Sequence, residues 1–315
     1  VRVLITGVSG FVGRHLANHL SQKHPNADLH GTVFRSPANS VPATIHQLDL
    51  RDSEAVKTLM QAVRPDYIYH LAAQAFVPRS FAEPWETIEI NVRSQLNLIR
   101  ACIETKQTPH MLAVTSAEIY GIVSPDQVPM RETLPPRPTS PYSVSKVAQD
   151  MLALQYHASH NLPIMRARPF NHFGPGQNLR FVAPAFATQI AKIETGDQEP
   201  ILRVGDLSAR RDFTDVRDIV AAYSLILEKG TPGTVYNVAS GHAHSIQHLL
   251  DTLINLVDID IMVETDPDRL RPVDLPVLLG DASRLRAETG WEPKYTFEQS
   301  LQDVLNDCRQ RLTAS

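Results

Sequence analysis

The 315-residue chain has only two cysteines, Cys102 and Cys308, far apart in segments that read as helices. This argues against a disulfide framework and for a reducing compartment. Runs of like charge are absent and the formal net charge is −4, so there is no electrostatic footprint for nucleic acid or an anionic membrane, and a small ligand is expected. No apolar stretch approaches the ~20 residues that a membrane-spanning helix needs. The first residues, Val1-Arg2-Val3-Leu4-Ile5-Thr6, already read as a buried strand and leave no room for a signal peptide, so a cytoplasmic location is the expectation. Internal repeats, low-complexity segments and long linkers are missing too. What is present is 43% hydrophobic content, enough to bury a substantial core in one large or two moderate domains.

Val3 to Thr6 is a short run that enters Gly7-Val8-Ser9-Gly10-Phe11-Val12-Gly13, after which Leu16, Ala17 and Leu20 recur at helical spacing. Gly7, Gly10 and Gly13 let the backbone turn tightly, approach a pyrophosphate and pack helix on strand. The helix start, with Phe11 and Val12, offers unpaired amides to an anion. A plain tight turn is the alternative, but a strand before it and a helix after it favour a dinucleotide cofactor.

An acidic residue at the end of the second strand, Asp28 to Phe34, would bind the adenosine ribose hydroxyls. None is there. Arg35 and Ser36 offer a cation and a hydroxyl suited to a 2′-phosphate, so NADP(H) is favoured over NAD(H). A third strand, Ile45 to Leu48, ends in Asp49-Leu50, placed to reach the adenine; Asp49 as a cap for a helix from Ser53 is the competing role. A fourth strand, Tyr67 to Leu71, runs into Ala72, Ala73 and Gln74, whose first two side chains are small enough for close approach to the cofactor.

Pro84 starts a helical pattern through Ile88, Val92, Leu96, Ile99 and Ile103, and Met111 to Thr115 is a fifth strand. Strands alternating with helices predict an α/β fold, a Rossmann-type doubly wound parallel sheet with its crevice at the carboxyl ends of the strands. Ser116 lies at such an end. Tyr142 and Lys146 are four residues apart on a helix, which sets a phenol and an ammonium on one face. A lysine charge there is expected to favour phenolate and lower a pKa that is ordinarily near ~10. Ser116 would hold the substrate oxygen whose proton Tyr142 gives or takes.

After a sixth strand, Ile164 to Arg168, a glycine and proline cluster breaks the pattern. Residues 1–168 with about 209–238 are expected to form the dinucleotide-binding domain, and 169–208 with 239–315 a smaller α/β substrate domain. The latter carries a helix around Phe181 to Lys192, a strand at Ile201 to Val204 and a basic loop at Arg269 to Asp274. Asp215 is placed to cap a helix that returns to the first domain. Arg211 and Arg271 are candidates for a substrate pyrophosphate, because guanidinium forks match phosphate oxygens. Ser80 is a candidate for a sugar hydroxyl. His15 and His19 have the helical spacing of a zinc pair, but lack the glutamate and third ligand of such a site, so no metal is expected. His242, His244 and His248 are expected as polar surface residues.

Gly7-x-x-Gly10-x-x-Gly13, Asp49-Leu50, His70-Leu71-Ala72-Ala73-Gln74, Ser116 and Tyr142-x-x-x-Lys146 together resemble the extended short-chain dehydrogenase/reductase family over nearly the whole chain. The resemblance implies hydride transfer between nicotinamide C4 and a carbon of a nucleotide-activated sugar, catalysed by Ser116, Tyr142 and Lys146, with Lys146 also binding the nicotinamide ribose. It implies a substrate-facing Asn171, supports Arg211 and Arg271, and implies a homodimer or tetramer built through a four-helix bundle of the helices around 84–105 and 142–158.

Within that family, Phe170-Asn171-His172, Gly174-Pro175-Gly176-Gln177, the Arg211 to Asp218 segment and Arg271-Pro272 most resemble GDP-4-keto-6-deoxy-D-mannose reductases, with GDP-mannose 4,6-dehydratases as near relatives. A dehydratase must also remove a C5 proton and expel water from C6, and its strand-end pattern is Thr-Ser-Glu or Thr-Asp-Glu. Here Ser116-Ala117-Glu118 keeps the carboxylate, so Glu118 stays a catalytic candidate, but has a methyl in the middle. The expected reaction is reduction of a GDP-sugar to GDP-D-rhamnose. The alternatives are the dehydratase, a 4-epimerase and a non-catalytic dinucleotide-binding protein.

Overall fold

A computed structural model describes residues 1–35, 40–267 and 275–313. The first half runs β1 (Arg2–Thr6), α1 (Phe11–Lys23), β2 (Asp28–Val33), β3 (Thr44–Gln47), α2 (Ser53–Val63), β4 (Tyr67–His70), α3 (Val77–Ala82) and α4 (Pro84–Ile88). A π-helical turn, Glu89–Arg93, joins α4 to α5 (Ser94–Glu104), and β5 (His110–Val114), α6 (Pro141–His160) and β6 (Ile164–Pro169) follow. The second half runs β7 (Asn171–Phe173), α7 (Val182–Glu194), β8 (Ile201–Val204), β9 (Arg210–Asp215), α8 (Val216–Lys229) and β10 (Val235–Val238). It ends with β11 (Ala243–Ser245), α9 (Ile246–Ile254), β12 (Met262–Thr265), β13 (Val277–Leu278), α10 (Ser283–Thr289) and α11 (Phe297–Thr313).

Seven strands form one parallel sheet in the order β10-β6-β5-β4-β1-β2-β3. Its central strands are buried over most of their length because helices cover both faces. Leu16 and Leu20 of α1 and Ile219 and Tyr223 of α8 fill one side; Val56 and Met60 of α2, Leu98 of α5 and Ala153 of α6 fill the other. The chain steps outward in opposite directions from β1 and β4, which opens a crevice at their carboxyl ends.

A smaller sheet has the order β11-β9-β13, with β7 also on β9, and β12 pairs β8. Phe186 and Ile190 of α7, Leu249 and Leu253 of α9 and Leu301 and Leu305 of α11 pack into a separate core with Phe173 and Phe213. One expected boundary is corrected here. Residues 210–215, assigned from the sequence to the dinucleotide domain, are the centre of the second sheet; α8 and β10 return to the first, and Leu285 of α10 and Trp291 pack into the same core.

The motif that contains β9 works largely as scaffold. Asp212 is fully buried and accepts from the amides of Ser240, Gly241 and Gly280 and from the Ser240 hydroxyl. Asp215 caps α8 through the Arg217 amide, as expected, and also accepts from Ser300 of α11 at 2.6 Å. Asp218 accepts from the amides of Lys294 and Tyr295. Cys102 and Cys308 are buried free thiols. His244 and His248 stack on Phe297, at 4.0 and 5.5 Å between centroids; His242 and His248 are exposed, as expected, and His244 is half-buried.

Candidate active site

The crevice begins at the first glycine turn. Gly7 has φ +70°, and a Cβ there would lie 3.0 Å from the Ala72 backbone, so the β1 and β4 ends approach as only glycine permits. A Cβ on Gly13 would lie 2.4 Å from the Gly7 carbonyl oxygen, which explains the close seating of α1. Gly10 is the N-cap of α1, with no side-chain cap and no acidic residue in the first turn. The helix start is therefore open to an anion. Val12 packs on the core, and the Phe11 ring stacks on His172 at 6.2 Å, tying the turn to the second half of the chain. His15 of the rejected zinc pair donates to the Pro175 carbonyl, and His19 is held below the usual histidine range mainly by burial.

A cleft of about 500 Å³ extends from this turn. It brings together Gly7, Gly10, Arg35, Asp49, Leu50, Leu71, Ala72, Ala73 and Gln74. Its shape, glycine floor and cations fit a dinucleotide. Asp49 does not cap α2; Asp52 does, accepting from the Glu54 and Ala55 amides. Asp49 is instead gripped by Arg51, whose amide and guanidinium donate to it at 2.6–3.0 Å and hold its carboxyl below the usual range. Arg51 and Arg35 both lie over the Phe34 ring, at 5.8 and 4.7 Å, so the cleft has a second cation that its sequence position, two residues past Asp49, does not announce. Ser36 lies outside the described residues.

The wall of the cleft is fixed by buried polar groups. Thr6 Oγ1 accepts from the Leu71 and Ala72 amides and gives its own proton to His70 Nδ1, whose pKa burial pushes down to about 3. Asn91, fully buried in the π-helical turn, accepts from the Gln74 amide and donates to the Gln74 carbonyl and to Ser145 Oγ. Ser145 in turn donates to the Tyr142 carbonyl, so one side chain joins the cofactor wall to the helix that carries Tyr142. Its only sequence signal is an asparagine within an apolar helical pattern.

α6 starts where it does because Ser140 and Ser143 form a reciprocal cap and Pro141 occupies the first turn. Tyr142 and Lys146 then project one turn apart, 8% and 4% exposed, toward Ser116, which is 7% exposed. Ser116 is extended, φ −168° and ψ 150°, and its Oγ caps the short turn Ala117–Tyr120 by accepting from the Glu118 amide at 3.1 Å. Burial raises the Tyr142 pKa above the ordinary tyrosine value; a hydrogen bond with Ser116 pulls the other way and the Glu118 charge adds to the rise. The expectation that Lys146 lowers it is corrected. Lys146 Nζ is 5.9 Å from the Tyr142 ring centre and donates to the Val114 carbonyl at 3.0 Å, while burial brings its own pKa down to about 7. Desolvation outweighs the pairing, and Tyr142 holds its proton at neutral pH.

The substrate candidates are dispersed. Asn171, on β7, has a buried Oδ1 without a hydrogen-bond partner among the described residues. Arg211 is buried, and its Nη1 donates to the Arg210 and Leu275 carbonyls. Ser80 is completely buried, with its hydroxyl donating to the Val77 carbonyl inside its own helix. Arg271 lies outside the described residues. Glu118 is partly buried beside Ser116, whereas Ala117 is 1% exposed and packed in the main core.

Known proteins are similar to this chain in sequence and in fold. The family model for GDP-mannose 4,6 dehydratase matches residues 4–304. The GDP-6-deoxy-D-mannose reductase of Pseudomonas aeruginosa is 37% identical over 311 residues, covering 99% of this chain and 98% of that protein. A GDP-mannose 4,6-dehydratase of Vibrio cholerae is 29% identical, covering 96% and 92%. Among solved structures, that of RMD from Pseudomonas aeruginosa complexed with NADPH has a TM-score of 0.88 at 37% identity, covering 98% of this chain and 99% of that one. With its glycine turn, its Ser116, Tyr142 and Lys146 constellation and these relatives, the chain belongs to the GDP-mannose 4,6-dehydratase family.

Proposed function

We propose that the protein reduces GDP-4-keto-6-deoxy-D-mannose at C4 to GDP-D-rhamnose, with NADPH favoured as reductant and NADH as the alternative. The observation that carries this reading is a buried Tyr142, hydrogen-bonded to Ser116 at the strand ends beside the glycine cleft, with burial raising the pKa of its phenol. A 37% identical reductase and a similar structure complexed with NADPH support the GDP-sugar and the dinucleotide. Arg35 and Arg51 at the cleft suit a 2′-phosphate.

Reduction of a ketone needs one hydride and one proton. Bound NADPH would supply the hydride. Ser116 holds the C4 oxygen by its hydroxyl, and Tyr142 gives that oxygen its proton. Burial makes the phenolate left behind unfavourable, which favours prompt reprotonation. Lys146, poised near neutral pH, would hold the nicotinamide ribose and stabilise the transient phenolate. Asn171 offers an acceptor to the substrate, with Arg211 and Arg271 as further candidates, whereas the buried Ser80 hydroxyl is already bonded to Val77.

The second reading, GDP-mannose 4,6-dehydratase, rests on Glu118, which places a carboxylate beside the pair. Against it stands Ala117, whose buried methyl supplies no acid for elimination. Offering the two substrates separately decides the matter. The reductase consumes NADPH with the ketosugar, whereas a dehydratase makes a 4-keto sugar from GDP-mannose with no net consumption. We also place a homodimer or tetramer contact on α4 and α6, where Trp85 is 73% exposed and Val144, Met151 and Leu154 form an exposed apolar stripe.

A further inference from the structure

We propose that Arg168, held between Asp150 and Tyr120, is a positioning residue that sets Ser116 against Tyr142; the inference rests on the reading of that pair as the catalytic one. Asp150 lies on α6 two turns beyond Tyr142, so the helix presents Tyr142, Lys146 and Asp150 on one face. Its carboxylate is fully buried and takes two bonds from Arg168, at 2.9 and 3.1 Å, and one from Arg166 at 2.7 Å. The remaining nitrogen of Arg168 donates to the Tyr120 hydroxyl at 3.0 Å and to the Glu132 carbonyl at 3.2 Å. Tyr120 ends the short turn that Ser116 begins, and its hydroxyl donates on to Asn237 at 2.7 Å.

Arg168 therefore spans from the helix that carries Tyr142 to the turn that carries Ser116. Thr115, the residue before Ser116, adds a weaker strut by donating to the Ala167 carbonyl at 3.0 Å and reaching Asp150 at 3.4 Å. A planar guanidinium with three bonded nitrogens fixes direction as well as distance, which an apolar contact cannot do. Stability alone does not account for the arrangement, because buried ion pairs add little over well-packed apolar side chains, and here two guanidiniums face one carboxylate. Geometric specification of the turn does account for it.

Tyr120→Phe tests this without opening a cavity, since it keeps the ring that stacks on Phe170 and removes only the hydroxyl at the end of the fork. The expected result is a kcat reduced on the order of tenfold, with KM for the ketosugar and Kd for NADPH unchanged within about twofold. In substrate-free protein the Tyr142 13Cζ resonance, which reports hydrogen bonding at the phenol, should move part of the way toward its position in Ser116→Ala. The control is Tyr236→Phe, which deletes another bonded phenol hydroxyl, partnered by the Thr231 amide and Glu288. It should lower the melting temperature and leave kcat and the Tyr142 resonance unchanged. A wild-type kcat and resonance in Tyr120→Phe, or equal changes in Tyr236→Phe, would overturn the proposal. If wild-type protein does not turn over the ketosugar, the functional reading fails, and the resonance still decides whether the tie positions Tyr142.

Discussion

Lys146→Met should stabilise the cofactor-free protein while abolishing its activity, and the gain should depend on pH. The amine is 4% exposed, and burial lowers its pKa from 10.5 to about 7. Between those values the unfolded chain binds more protons than the folded one, so stability rises with pH across this window. At 1.36 kcal/mol per unit, the cost of burying this lysine is about 4 kcal/mol at pH 7 and less than about 1 kcal/mol at pH 10. Methionine has a similar stem and no charge to desolvate, although it forgoes the bond to the Val114 carbonyl. Urea unfolding of both proteins at pH 7, 8.5 and 10 should show the variant's advantage shrinking by about 3 kcal/mol over the range. An advantage independent of pH would refute the reasoning, because it would mean that the folded protein keeps Lys146 protonated throughout.

Other perturbations reach the remaining parts of the site. Tyr142→Phe should cost on the order of 10²–10⁴-fold in turnover and leave NADPH binding intact by fluorescence titration. Gly13→Ala would drive a methyl against backbone atoms of Gly7 and Val8 that cannot swing away, so about 1–3 kcal/mol of stability should be lost in thermal melts, together with most dinucleotide affinity. Replacing Arg35 and Arg51 by alanine should lower NADPH affinity by about tenfold or more with little change for NADH. Met151→Glu with Leu154→Glu should abolish the proposed contact through α4 and α6, giving a smaller mass than wild type in light scattering with each chain still folded.

Much of the site is legible because its parts are local. The glycine turn follows directly on β1, Ser116 on β5, and Tyr142 and Lys146 share a helix face, so spacing alone brings them to one crevice. What spacing does not convey is burial. It therefore assigns Tyr142 the wrong direction of shift, since the lysine charge is visible in the sequence and the surrounding core is not. Asn91 and Arg168 escape notice for a related reason: their partners Gln74, Ser145, Asp150 and Tyr120 come from other elements, and a lone asparagine or arginine carries no mark of them. Asp49 and Asp52 are three residues apart and both suit a cap; only the path of the chain into α2 gives Asp52 the amides and leaves Asp49 to Arg51. The placement of β9 in the smaller sheet depends on pairing with β7, β11 and β13, strands two or three residues long that leave almost no alternating pattern to read.

The central claim is that hydride reaches C4 of a GDP-ketosugar while Tyr142 supplies the proton. Incubation of the protein with GDP-4-keto-6-deoxymannose and NADPH carrying deuterium at the transferable C4 position, followed by NMR of the sugar, tests it most directly. The account predicts GDP-D-rhamnose with one deuterium at C4 of the sugar, formed by wild type and lost in Tyr142→Phe. An unlabelled sugar, deuterium at another carbon, or equal labelling by Tyr142→Phe would contradict it.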